Sequence, residues 1–386
     1  MSRPMKLAVI AGEVSGDILG ADLVAALRRE GREVELVGVG GDRLQREGLN
    51  SFFDFSELSV MGIADVLAKL PSLLGRIRQT AAAIIAARPD ALLIIDSPDF
   101  THRVAKRVRK ALPDLPVIQY VCPSVWAWKE YRAQAMLGYV DLVLAVLPFE
   151  PAVMQRLGGP KTIYVGHRLA ADPEILKVRA AREVREPGQA PTILLLPGSR
   201  SSEIKRLADV MGEAVAEIKA RHSQAKFLLP AVARQEKFIR QNIANWAVVP
   251  ECETGDDFKW NAFSRADAAI AASGTVILEL AMAGVPAVSV YRTDPIIKFL
   301  ASRIKVWTAA LPNLIADYPV IPEYINELLR PGAPVRWIDR LIADTPQRAA
   351  MLAGYADVWQ KMSVPRPSGD LAATAVLQLL DMKKPA

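Results

Sequence analysis

Ser273, Gly274 and Thr275 form a turn of small residues between an apolar run and a helix-like segment, and Glu279 follows one helical turn later. At such a turn the backbone N–H groups and the helix dipole meet an anionic phosphate. A carboxylate on the next turn of the same face is placed to accept hydrogen bonds from sugar hydroxyls. The combination points to a nucleotide-sugar site. An ordinary strand-to-helix turn, capped by Ser273 or Thr275 with Glu279 on the helix surface, uses the same residues.

Other polar residues stand at the ends of apolar runs. LLIIDSPDF puts Asp96 at the C-terminal edge of a strand, where a general base would reach a sugar hydroxyl. Asp99, just before helical sequence, suits either an acceptor contact or an acid complementing the helix dipole. AGEVSGD brings Gly12, Glu13, Ser15 and Gly16 into the turn after the first strand. Its glycines allow a sharp turn or a close ligand approach, and its spacing is not the GxGxxG of a nicotinamide site. In LPGSR, Ser199 and Arg200 follow a buried strand, and a guanidinium there offers a forked, permanent charge to a diphosphate leaving group. Asn313 in LPNLI is by itself a turn residue. Trp126 and Trp128 in PSVWAW serve either the core or an acceptor.

These residues need a frame. Apolar runs over 7–11, 35–39, 91–96, 117–121 and 142–146 alternate with helical segments over 17–30, 62–87 and 100–112. After a polar, proline-containing stretch over 171–191 the pattern restarts, with strands expected over 192–196, 226–229, 247–249, 268–271 and 287–290. Strands without polar alternation, separated by helices, predict two successive doubly wound, parallel α/β units with a boundary near residue 170. The expected domains are 1–170, 171–345 and a helical tail, 346–386, that packs back on the first domain or on a second copy of the chain.

The 386 residues are 51% hydrophobic and 23% charged, which suits ample globular cores. The net charge of +6 is dispersed and lacks a nucleic-acid motif, so no nucleic-acid partner is expected; it favours anionic ligands or an anionic membrane surface. Cys122, Cys252 and the three histidines lack metal-ligand spacing, so neither a metal nor another cofactor is expected. No signal peptide and no spanning helix are predicted. Val60, Met61, Ile63, Val66, Leu67 and Leu70 make an apolar stripe beside Lys69, Arg76 and Arg78, which suits a core-facing helix or a surface dipping into a membrane.

The ordered motifs AGEVSGDILGA, SVMGIADVL, IDSPDF, PSVWAW, LPFE, LPGSR, ASGTVILE and LPNLIA resemble those of the lipid-A-disaccharide synthase family from residue 11 to about 316. The resemblance implies a GT-B glycosyltransferase, two Rossmann-like domains facing a central cleft with C-terminal helices. It further implies metal-free, inverting transfer from UDP-2,3-diacylglucosamine to the 6-hydroxyl of 2,3-diacylglucosamine 1-phosphate (lipid X), in a Gram-negative cell. The acceptor belongs to the first domain and the UDP-sugar to the second. By position it implies catalytic roles for Asp96 and Glu13 and binding of the UDP donor by Arg200, Glu279 and Asn313. Both substrates carry acyl chains, so attachment to the cytoplasmic face of the inner membrane follows. Cys122, Arg168 and the segment 317–322 depart from the family's usual pattern, which bears on acyl-chain preference. Another UDP-N-acetylglucosamine transferase or 2-epimerase would share the fold without SVMGIADVL, and a two-domain binding protein would release no UDP.

Overall fold

A computed structural model describes residues 3–58, 63–183, 190–293 and 304–383, with the backbone alone over 63–70. Contacts divide the chain into two compact units, Met1–His167 with Val364–Ala386, and Arg168–Ser363.

The first unit runs β1 (Met5–Ala11), α1 (Val14–Arg29), β2 (Val34–Val39), α2 (Asp42–Arg46), β3 (Asn50–Ser51), α3 (Ile63–Ala87) and β4 (Ala91–Ile95). It continues with α4 (Pro98–Ala111), β5 (Val117–Tyr120), α5 (Tyr131–Met136), β6 (Leu142–Ala145), α6 (Glu150–Arg156) and β7 (Lys161–Tyr164). The strands line up in parallel as β3-β2-β1-β4-β5-β6-β7. The period of two along a strand explains the layers. Leu7, Val9, Ala11, Leu93 and Ile95 face one side, with Leu23 and Leu27 of α1 and Val376 of the last helix, Ser368–Lys383. Ala8, Ile10, Leu92 and Ile94 face the other, with Ile77 of α3 and Val104 of α4. A sheet covered on both faces needs this unbroken apolar composition.

The second unit runs α7 (Pro173–Glu183), β8 (Thr192–Leu196), α8 (Ser201–Arg221), β9 (Lys226–Ala231), α9 (Glu236–Ile243), β10 (Glu251–Thr254) and α10 (Asp256–Arg265). Then come β11 (Ala268–Ala272), α11 (Thr275–Ala283), β12 (Ala287–Tyr291) and β13 (Glu323–Ile325). The parallel order is β10-β9-β8-β11-β12-β13. Each sheet reverses its direction of winding once, between β1 and β4 and between β8 and β11. At such a switch point the loops leaving neighbouring strands part and open a crevice for a ligand.

Three details differ from the sequence expectation. The strand expected over 247–249 is instead β10, beginning two residues past it, while Val249 is exposed in the preceding turn. The real strand, ECET, is short and charged because it forms a sheet edge, where apolar residues would invite pairing with other chains. Within the polar stretch after residue 170 the chain forms α7, whose Arg182 guanidinium donates to the carbonyls of Phe263, Ala266 and Gly284 and so joins the ends of α10 and α11. The expected tail, 346–386, is divided: the helix Pro346–Met362 packs inside the second unit, where the Met351 sulfur accepts from the Ala287 N–H at 3.4 Å, and Ser368–Lys383 packs on the first.

Candidate active site

At the switch point of the second sheet lies a cavity of about 680 Å³ lined from the C-terminal ends of β8, β9 and β11 and the first turns of the helices that follow. It brings together Ser199, Arg200, Ser273, Gly274, Thr275 and Glu279. Gly274 caps α11 with φ near 150°, a region that favours glycine, and the space over it is open. Thr275 and Val276 of the first turn line the cavity, and N–H groups at a helix start lack intrahelical partners, although the Ile277 N–H donates to the Gly274 carbonyl at 3.2 Å. Thr275 and Glu279 are four residues apart on α11 and share one face.

Arg200 is oriented by a residue that the motif alone did not reveal. Glu203, in the first turn of α8, turns back so that Oε1 accepts from the Arg200 guanidinium at 2.8 Å and Oε2 from the Ser199 N–H at 3.3 Å. Gly198 makes room for it: a Cβ there would stand 2.6 Å from Glu203 Oε2, and φ is +109°. Arg200 remains 63% exposed, with its charge available to a ligand. Lys259 of α10 is another lining residue that sequence reasoning missed, because its partner, Glu279, lies on a different helix.

Asn313 is not among the cavity's lining residues. It is buried, its amide N–H groups donate to Thr308 Oγ1 and the Ile321 carbonyl, and its Oδ1 accepts from the Val320 and Ile321 N–H groups. Both donors and both acceptor positions are thereby occupied. Its effect reaches the turn through the loop it pins, since the Ser273 hydroxyl donates to the Ala309 carbonyl at 3.4 Å.

In the first unit, Glu13 follows β1 and Asp96 follows β4, on the two sides of that sheet's switch point. Glu13 is exposed and Asp96 half-buried. Asp96 and Ser97 both take left-handed backbone, with φ of 50° and 43°. Two successive non-glycine residues in this region cost about 1–3 kcal/mol each, and such strain gathers at functional sites. The Asp96 N–H still donates to the Tyr120 carbonyl and its Oδ1 accepts from the Ser97 N–H at 2.8 Å. Gly12 is buried against this turn: a Cβ on it would lie 2.4 Å from Ser97 Oγ. Gly16 packs on Ile95 and lets α1 approach β4, so it shapes the turn from behind. Ser15 is exposed on the first turn of α1. Asp99 is exposed and paired with Arg132 at 3.6 Å. Asp17, in the first turn of α1, accepts from the N–H groups of Gly41, Arg43 and Leu44 and caps α2.

PSVWAW joins LPFE through a buried carboxylate. Glu150 Oε1 accepts from the Trp126 indole N–H at 3.2 Å, and Oε2 from the Val146 and Leu147 N–H groups. Burial pushes the Glu150 carboxyl up to about 7, against the lowering effect of these donors. Trp128 is exposed, with the Lys129 ammonium 3.9 Å over its ring. On α4, His102 bridges Tyr139 and Gln119, and burial pushes it down to about 4.

Of the residues read as a membrane contact, Val60 and Met61 lie outside the described residues, and Ile63, Val66, Leu67 and Leu70 fall where α3 is described by its backbone alone. Among the described residues no helix is long and apolar enough to cross a membrane.

Two Rossmann-like units of this topology define a GT-B fold. Solved structures share it at 12–15% identity: the glycotransferase of kitacinnamycin (TM-score 0.63, covering all of both chains), a Neisseria meningitidis UDP-GlcNAc 2-epimerase bound to UDP-GlcNAc (0.60, 98% of this chain and 100% of that one), and Acinetobacter baumannii MurG (0.58, 98% and 100%). Such likeness establishes the architecture alone. The sequence is more specific. The profile of the lipid-A-disaccharide synthetase family matches residues 7–333. Lipid-A-disaccharide synthases of Rhodopseudomonas palustris and Nitrobacter winogradskyi are 45% and 44% identical, over 96% and 97% of this chain and 95% and 96% of theirs. The chain belongs to the lipid-A-disaccharide synthase family. It is a glycosyltransferase of lipid A biosynthesis.

Proposed function

We propose that the chain transfers 2,3-diacylglucosamine from UDP-2,3-diacylglucosamine to the 6-hydroxyl of lipid X, giving the β-1,6-linked disaccharide 1-phosphate and UDP. The observation that carries this reading is the gathering of Arg200, the Ser273–Thr275 turn and Glu279 in one cavity, in a chain of this family. Glu279 accepts from the ribose hydroxyls. Arg200, the Ser199 and Ser273 hydroxyls and the N–H groups of Gly274 and Thr275 hold the diphosphate and stabilise the charge that grows on it as the bond from the anomeric carbon to the phosphate oxygen breaks. Asn313 supports the turn from behind, through the loop it pins.

On the first unit, Asp96 accepts the proton of the acceptor's 6-hydroxyl as that oxygen attacks the anomeric carbon, with inversion. Glu13 lies on the other side of the same switch point and orders the acceptor, with Gly12, Ser15, Gly16 and Asp99 shaping the surrounding turns. Lipid substrates place the work at a membrane surface, which the net charge of +6 and the apolar stripe from Val60 to Leu70 favour. The attachment is peripheral, on the cytoplasmic face of the inner membrane. Analysis of the product made from the two purified substrates tests the reaction. A β-1,6-linked tetraacyl disaccharide 1-phosphate is expected, and an α-linkage or the absence of any disaccharide would refute it.

A further inference from the structure

Lys259 has no part in the reading above, yet it lines the same cavity. Its ammonium donates to Glu279 Oε2 at 2.7 Å and lies 4.4 Å from the centroid of the Trp260 ring and 5.6 Å from that of Phe263. The lysine and glutamate side chains are 27% and 17% exposed, so their attraction is screened less than that of a surface pair. A glutamate on an open helix face samples several rotamers, and ordering it on a ligand costs entropy. Here one oxygen is tied and Oε1, which has no hydrogen-bond partner among the described residues, is left to the cavity.

We propose that Lys259 is a positioning residue for nucleotide recognition: by tying one carboxylate oxygen of Glu279 it aims the other at a ribose hydroxyl, and thereby sets a preference for ribose over deoxyribose in the bound diphosphate. This rests on the reading of Glu279 as the ribose contact. The alternative use of the ammonium is as a direct partner of the diphosphate, through the donors that the carboxylate does not take.

The two uses separate in binding measurements on the full chain with UDP, 2′-deoxy-UDP and 3′-deoxy-UDP, in wild type, Lys259→Met, Lys259→Arg and Glu279→Gln. Methionine keeps the packing on Trp260 and Phe263 and removes the charge. Wild type is expected to favour UDP over at least one deoxy analogue by about tenfold or more, the scale of a hydrogen bond to a charged group. Lys259→Met should lose most of that preference by weakening UDP, with the affinity for that analogue changed by less than about threefold, and Lys259→Arg should restore part of it. If wild type does not discriminate, the ribose reading of Glu279 is at fault. If wild type discriminates, Glu279→Gln does not, and Lys259→Met still does, the positioning role is refuted. An equal loss of all three nucleotides in Lys259→Met would also refute it, in favour of a diphosphate contact or a general disturbance of the cavity.

Discussion

The chemistry of single residues is set by where burial and partners place them. Glu150 and His102 show this with opposite signs. The Glu150 carboxyl rises from the ordinary 4.5 to about 7 because it is buried, so the native state holds that proton more tightly than the unfolded chain, and stability falls as pH rises through this window. His102 drops from 6.5 to about 4, again chiefly by burial, with Arg132 and Lys106 adding to the effect and Gln119 and Asp99 opposing it. The native state then keeps its histidine neutral while the unfolded chain takes up a proton, so stability falls as pH drops below 6.5. Each effect is of order 3 kcal/mol over its whole window, and the two oppose each other between about pH 4.5 and 6.5. Urea midpoints measured across this range should therefore gain a rising slope with pH in Glu150→Gln, relative to wild type, and a falling slope in His102→Gln. A variant that tracks wild type at every pH would contradict the assignment for its residue. In the cavity of the second unit, Arg200→Ala is expected to lower kcat by about 10²–10³, the scale of a lost transition-state donor, and Glu203→Gln by less because it only orients the arginine; steady-state kinetics tests the ranking. Asp96, Arg200 and Glu279 were legible in the sequence because each sits at a strand end or in the first turns of the following helix. Lys259 and Glu150 were not, since the partners that give them meaning lie 20 and 24 residues away along the chain.

At the scale of elements, the turn after β4 depends on the turn after β1. Gly12 leaves no room for a Cβ beside Ser97, and Ser97 and Asp96 are held in left-handed backbone. Gly12→Ala should push this turn aside, lowering kcat by about tenfold or more while the fold persists, because small displacements of a reacting group are costly. Adding Ser97→Gly removes the obstructing side chain and suits the positive φ, so the double variant should recover most of the activity. A double variant no better than Gly12→Ala alone would contradict the steric link. The sequence made the central strands plain because strands buried on both faces are apolar throughout. It obscured the edges for the same physical reason: β10 is charged, β3 and β13 are two or three residues long, and none carries an apolar run. Asn313 likewise showed its amide but not the four partners that surround it.

The whole molecule combines two doubly wound units with a family sequence that spans nearly all of both. Its strand orders, and not its local motifs, explain why the candidate residues gather: each sheet reverses once, and the turns of interest leave the strands that flank the reversal. Attachment to a membrane also belongs to this scale, since it sums many weak contacts. Polar replacement of Val60, Met61 and Ile63 together should shift the protein from membrane pellets to the supernatant, and an unchanged distribution would contradict the proposed contact. The most direct test of the proposed reaction is UDP release from UDP-2,3-diacylglucosamine in detergent, with and without lipid X, by wild type and Asp96→Ala. Wild type should release UDP only when lipid X is present, and Asp96→Ala should be slower by about 10²–10⁴. Release that ignores lipid X, or an Asp96→Ala variant as fast as wild type, would contradict acceptor activation by this aspartate.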